Sequence, residues 1–102
     1  MPQFSAYANP RASRLRAPYL LDMQSNLVDL STRVFAPLIK ASYFGEPMPR
    51  LNPVFELDGE MLVLSPAEMT AILVRELGAP ITQFDERRTD ILAALDLLFT
   101  GV

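Results

Sequence analysis

The sequence predicts a mainly β (α+β) domain, a small antiparallel sheet with one C-terminal α-helix. Three observations carry that prediction. Asp58-Gly59 lies between the apolar runs Pro53–Leu57 and Glu60–Leu64, and this dipeptide supplies the two positive-φ positions of a tight hairpin turn. Leu15, Ala17, Tyr19, Leu21 and Met23 alternate with other residues, the period of two that marks a strand. Ile91, Leu92, Leu95, Leu98 and Phe99 recur at helical spacing near the chain's end.

In order along the chain, Gln3–Ala8 reads as a first short strand ended by the turn pair Asn9-Pro10. Arg11–Arg14 follows as a polar loop, and Leu15–Met23 as the second strand. Pro18 has no N–H to donate, so the pattern expects that strand to bend there or lie at an edge. Gln24–Thr32 is a loop with the apolar tip Leu27, Val28 and Leu30, and Arg33–Ile39 is a third strand. Gly45, Pro47, Pro49 and Pro53 mark an irregular surface stretch before the hairpin.

Ser65–Gly78 supports two readings. Ser65 with Glu68 has capping-box spacing and Pro66 suits a first helical position, which favours a helix ending at Gly78. The run Ala71–Val74 is equally a short buried strand, and periodicity does not arbitrate at this length. The terminal helix spans about Asp85–Phe99, roughly 22 Å at 1.5 Å per residue. Thr82 and Asp85 offer start chemistry, Asp85, Glu86 and Asp90 suit the positive end of the dipole, and Gly101 stops it.

Composition narrows the chemistry. The chain of 102 residues is one domain's worth, residues 1–102 forming a single unit with no repeat or linker. It contains no Cys and no His. That excludes disulfides, thiolate nucleophiles, imidazole bases and the commonest metal ligands, so no metal or cofactor is expected. The net charge of −3 lacks the basic surplus usual in a nucleic-acid-binding domain. The N-terminal segment is no signal peptide, and no apolar run reaches membrane-spanning length, so a cytoplasmic protein is expected. No P-loop, dinucleotide fingerprint or metal-ligand spacing occurs.

The remaining constellations point to binding. Glu56, Asp58 and Glu60 surround the hairpin turn, where carboxylates are ordinarily solvated. Asp85, Glu86 and Asp90 are accounted for by the helix start. Ser65 has neither a His nor a Lys beside it, Lys40 being the sole lysine. No catalytic residue is therefore assigned. Arg11, Arg14 and Arg16 are grouped near Tyr7 and Tyr19, a basic cluster suited to a phosphate or an acidic partner segment. The tail Phe99-Thr100-Gly101-Val102 places an apolar residue just past a capping glycine, a possible recognition element.

The chain resembles the CcdB family, the toxin half of toxin–antitoxin modules. The likeness runs nearly end to end. It is carried by Gln3-Phe4 with Tyr7, Ser13–Arg16, Asp22–Asp29 with its Asp-x-Gln-Ser strand end, Arg33, Pro37-Leu38, Pro53-Val54, Arg87–Ile91, Leu98-Phe99 and Gly101-Val102. The resemblance implies an SH3-like barrel or sheet of the CcdB/MazF type, assembled as a homodimer, with a strand over Ala71–Leu77 and only a short turn at Ser65–Glu68. It implies a non-enzymatic activity: the dimer binds the A subunit of DNA gyrase and traps the cleaved-DNA complex. The positions matching the family's gyrase-binding residues are Leu27, Val28, Asp96, Thr100, Gly101 and Val102. Two of them depart, since Thr100 stands where the family has Trp, and Asp96 where it has Asn. A CcdA-like antitoxin neutralises the family through a disordered segment, and the resemblance puts its contacts at Arg11, Arg14 and Arg16 and in the stretch Ser42–Arg50. Two alternatives accompany this reading: a dimer that binds its antitoxin and regulates its operon without poisoning gyrase, and an RNA-cleaving toxin of the MazF type.

Overall fold

A computed structural model describes residues 2–102. Seven strands form one antiparallel sheet curled into a half-barrel, with one long helix at the C-terminal end. The strands are β1 (Ser5–Ala8), β2 (Tyr19–Asp22), β3 (Thr32–Lys40), β4 (Val54–Leu57), β5 (Glu60–Leu64), β6 (Thr70–Leu73) and β7 (Thr82–Gln83). The helices are α1 (Ala41–Phe44) and α2 (Arg88–Thr100). The sheet order is β4-β5-β3-β2-β1-β7, with β6 also pairing to β3.

The longest strand, β3, organises the sheet. One edge pairs with β2 over Phe35–Leu38; the other pairs with β6 over Thr32–Phe35 and with β5 over Leu38–Lys40. Pro37 sits mid-strand, opposite Leu20 on the β2 side. Its carbonyl instead accepts the Ser65 N–H at 3.1 Å, which places its backbone polar edge away from β2 and toward the junction between β5 and β6. A residue without an N–H is tolerated at that junction because no ladder bond is required there.

Both faces of the sheet are covered. On one face Phe4, Leu21, Met23, Leu38, Phe55, Leu62, Leu64 and Phe84 pack with Ile91 of α2. On the other, Tyr7, Leu20, Phe35 and Ile72 form a second cluster, with Tyr7 and Phe35 meeting edge to face at 5.8 Å. This second cluster holds a buried ion pair, Arg33 Nε donating to Asp22 Oδ2 at 2.7 Å, while Arg33 Nη2 donates to the Gln24 carbonyl at 2.9 Å.

Several sequence expectations are corrected. The alternation over Leu15–Met23 is not one strand: Ala12–Leu15 is a 3-10 turn that leaves Leu15 exposed, and β2 begins only at Tyr19. Because both faces are covered, Leu20 and Asp22 are as buried as Leu21 and Met23. Pro18 precedes the strand, and β2 is internal, neither bent at the proline nor at an edge. The first strand starts at Ser5 because Phe4 has a positive φ of 66°, held by Phe4 N–H to the Asp22 carbonyl at 2.7 Å and Phe84 N–H to the Phe4 carbonyl at 2.8 Å. The expected strand Ala71–Leu77 is β6 followed by a 3-10 turn over Val74–Glu76. Pro66–Glu68 is the short turn, without the reciprocal cap that its spacing suggests; Ser65 Oγ bonds the Glu68 carboxylate itself at 2.7 Å.

The helix also starts later than expected. Asp85–Arg87 is a 3-10 turn, α2 runs Arg88–Thr100, and neither Thr82 nor Asp85 caps it. Arg87 fixes the entry instead. Its guanidinium donates to Asp90 at 3.0 Å and to the Val54 carbonyl at 3.0 Å, lying 4.3 Å from the Phe55 ring centroid. Ile91 and Ala94 are buried, but Phe99 is 69% exposed rather than part of the packed face.

Candidate partner-binding surfaces

The first surface is the arginine loop between β1 and β2. Asn9, itself buried, builds it: its amide donates to the Ala17 carbonyl at 2.8 Å and Ser13 Oγ at 3.0 Å, and its carbonyl oxygen accepts the Arg11 N–H at 3.0 Å. These bonds coil residues 11–16 into the turn that aims the arginines outward. Arg16 makes a two-pronged contact with Glu68 at 3.0 and 3.3 Å, and Arg11 lies 3.7 Å from Glu76. Arg14 bonds only the Arg11 carbonyl, at 3.2 Å, among the described residues. The Arg16 hydrogen bond holds the Glu68 carboxyl below its ordinary range, against a smaller upward push from burial and with help from Ser65. Under the arginines lies a cavity of about 170 Å³ with an apolar floor of Leu20, Pro37 and Ile72.

The second surface is the loop after β2. Asp22 Oδ1 accepts the Gln24 N–H at 3.0 Å, Gln24 bonds the Val28 carbonyl and the Val34 N–H, and Ser25 Oγ accepts the Leu27 N–H at 3.2 Å. The Asp-x-Gln-Ser residues therefore fold the loop onto the strand ends and push its tip outward, where Leu27 is 95% exposed. Val28 and Leu30 are exposed beside it. Burial pushes the Asp22 carboxyl above the usual carboxylate range, with Arg33 and the Gln24 N–H pulling it back.

The third surface is the far end of α2. Gly101 closes the helix in the left-handed conformation, φ 73°, with its N–H on the Leu97 carbonyl at 3.1 Å. This geometry suits glycine. Thr100 Oγ1 turns back onto the Asp96 carbonyl at 2.7 Å, and Val102 is 74% exposed. The Arg50 guanidinium donates to the Val102 oxygen.

Within one chain the second and third surfaces stand apart. Arg88 bonds Gln3, which bonds Asn26 and the Met23 carbonyl, so the Leu27 loop sits at the start of α2. Thr100 lies roughly 18 Å along the axis from Arg88 at 1.5 Å per residue. Leu27 and Val28 are thus not brought to Thr100, Gly101 and Val102 within one protomer.

Four contributors escape the sequence reading. Asn9-Pro10 signals a turn but not the buried amide that builds the arginine loop. Glu68 and Glu76 give no sign that they meet arginines fifty or more positions earlier in the chain. Arg50 lies in a stretch that reads only as irregular. Among the described residues there is no group of three or more acids placed to hold a metal ion, and no helix long and apolar enough to cross a membrane.

The family model described as CcdB protein matches residues 3–101. It covers the β1 start, the arginine loop, the Asp-x-Gln-Ser loop and α2 through Gly101, in the order in which the fold presents them. The chain therefore belongs to the CcdB family, the gyrase-poisoning toxins of toxin–antitoxin modules.

Proposed function

We propose that this protein is the toxin of a type II toxin–antitoxin pair. It acts in the cytoplasm as a homodimer that binds the A subunit of DNA gyrase and traps the cleaved-DNA complex. The observation that carries this reading is the exposure of Leu27, Val28 and Val102, which the resemblance matches to the family's gyrase-binding residues. Solvent-exposed aliphatic side chains on shaped tips contribute little to a monomer's stability and suit a docking surface. A homodimer gives a reason for two apolar sites at opposite ends of α2, since a second copy can bring one chain's tip toward the other's loop.

Neutralisation follows from the arginine loop. A disordered acidic segment of a CcdA-like antitoxin would fold onto Arg11, Arg14 and Arg16 and place an apolar side chain over Leu20, Pro37 and Ile72. Its carboxylates would replace Glu68, which Arg16 holds with two hydrogen bonds, and Glu76, which lies 3.7 Å from Arg11.

The test is growth of cells expressing the chain, with normal gyrase A and with a gyrase A variant resistant to CcdB. Growth arrest confined to the normal strain, with accumulation of cleaved DNA, is the expected result. Equal arrest in both strains with loss of mRNA would replace this reading with RNA cleavage.

One observation favours a second reading, a dimer that binds its antitoxin without poisoning gyrase. Thr100 occupies the Trp position and spends its hydroxyl on its own helix, while Asp96 offers only acceptors where the family has an amide. Absence of arrest in both strains, with antitoxin binding retained, would establish it.

A further inference from the structure

We propose that Gln24 is a positioning residue of the loop after β2, a splint that holds Leu27 and Val28 in place before any partner arrives. The inference rests on how β2 ends. The register that pairs Asp22 with Phe35 sets Met23 opposite Val34. The Met23 N–H donates to the Val34 carbonyl at 2.9 Å, as it would in a continuing strand. In an antiparallel ladder such a pair exchanges two bonds, the second running from the Val34 N–H to the Met23 carbonyl. Two glutamine side chains take the place of that second bond. Gln24 Oε1 accepts the Val34 N–H at 3.2 Å, and Gln3 Nε2 donates to the Met23 carbonyl at 3.2 Å. The chain therefore leaves the sheet at Gln24 without stranding a backbone group.

The remaining polar groups of Gln24 are engaged too. Its N–H donates to Asp22 Oδ1 at 3.0 Å and its carbonyl accepts Arg33 Nη2 at 2.9 Å, so each member of the buried ion pair grips its backbone. Its Nε2 reaches across the turn to the Val28 carbonyl at 3.0 Å. One side-chain amide thus ties β3 to the loop tip. The turn between is closed by the Val28 N–H on the Ser25 carbonyl at 3.1 Å and the Leu27 N–H on Ser25 Oγ at 3.2 Å. Asn26 Oδ1 accepts the Gln3 N–H at 2.8 Å, which fixes the near side of the turn, while Gln24 fixes the far side at Val28. Leu27 is 95% exposed, so these polar bonds rather than apolar packing decide where the tip stands.

Gln24 need not touch gyrase for this role; it prepares the residues that would. That functional consequence rests on the gyrase-binding reading, whereas the splint itself does not. A tip already held loses less freedom on docking, so releasing it should weaken binding by about tenfold.

The experiment compares the intact protein with Gln24→Met and Gln24→Glu by ¹⁵N relaxation, amide exchange and calorimetric titration with the gyrase A fragment. Methionine keeps the length of the side chain and removes both arms. Glutamate keeps an acceptor for the Val34 N–H but, ionised, has no proton to give to Val28. The splint predicts rigid Leu27, Val28 and Asp29 amides in the wild type and order parameters below about 0.6 in both variants. It also predicts that the Val34 amide exchanges readily in Gln24→Met and stays protected in Gln24→Glu, a split that general loss of stability would not produce. Gyrase affinity should fall about tenfold in Gln24→Met. Unchanged tip order in Gln24→Met overturns the splint, and so does a Val34 amide equally unprotected in both variants. A loosened tip with undiminished gyrase affinity overturns the positioning role. A wild type that binds no gyrase refutes the proposed function and the docking role with it, and the splint is then decided by relaxation and exchange alone.

Discussion

Arg33 and Asp22 are the residues on which a charge inside this small protein depends. Asp22 is fully buried and Arg33 is 5% exposed, and each meets the other's hydrogen-bonding demand. Asp22→Ala strands a guanidinium in the second cluster and should cost about 3–5 kcal/mol. For a domain whose whole stability is of order 5–15 kcal/mol, the urea midpoint should fall steeply. The double replacement of Asp22 and Arg33 by apolar residues of similar volume should recover most of that loss, because no unpaired charge remains. At the helix tip, the pair Thr100→Trp with Asp96→Asn should tighten binding to the gyrase A fragment by about thirtyfold, the worth of roughly 2 kcal/mol for a buried Trp anchor. A calorimetric titration without any gain would mean that this tail docks differently from the family's. Both positions are exposed in the free chain, so the change should leave the fold intact.

At the scale of elements, what the sequence could reveal followed how local each determinant is. The hairpin was legible because Asp58 and Gly59 carry it alone, with φ of 52° and 76°. The terminal helix was legible because Ile91, Leu92, Ala94 and Leu95 repeat within a few turns. The second strand was not. Its start is decided by Asn9, whose amide pulls Ser13 and Ala17 into a turn and removes Leu15 from the sheet. The arginine cluster was visible as composition, but its pairing to Glu68 and Glu76 depends on β3 carrying β6 alongside β2. That pairing predicts a pH signature. Glu68 stays ionised in the folded protein where the unfolded chain would already take up a proton, so its contribution is present above the ordinary Glu range and is lost as the pH falls through its lowered pKa. Glu68→Gln should therefore be less stable than wild type at neutral pH, with the gap closing as the pH falls from the ordinary Glu range through the lowered pKa. Thermal unfolding measured across that range checks it, and a gap that does not vary with pH would show that the contact with Arg16 is not electrostatic.

For the whole molecule, Leu15, Leu27, Tyr43, Met48, Phe99 and Val102 are large apolar side chains left exposed on a chain of 102 residues. Sedimentation should return a dimer at micromolar concentration. A strictly monomeric chain at that concentration would leave the Leu27 loop and the helix tip of one molecule at opposite ends of α2, and would count against joint use of the two sites. The parts proposed to meet partners are all peripheral: the arginine turn, the Leu27 loop and the end of α2.

The placement of Pro37 at the junction of β5 and β6 has a consequence for how the molecule breathes. With two neighbours on one flank of β3 and one on the other, no single neighbour can peel away and leave β3 solvated. The amides of Ala36 and Leu38, which face β2, exchange with solvent only when β2, itself held between β3 and β1, separates from β3. Local opening is thereby confined to the rim. A partner can reshape or grip the loops there many times over while the centre of the sheet never registers the event.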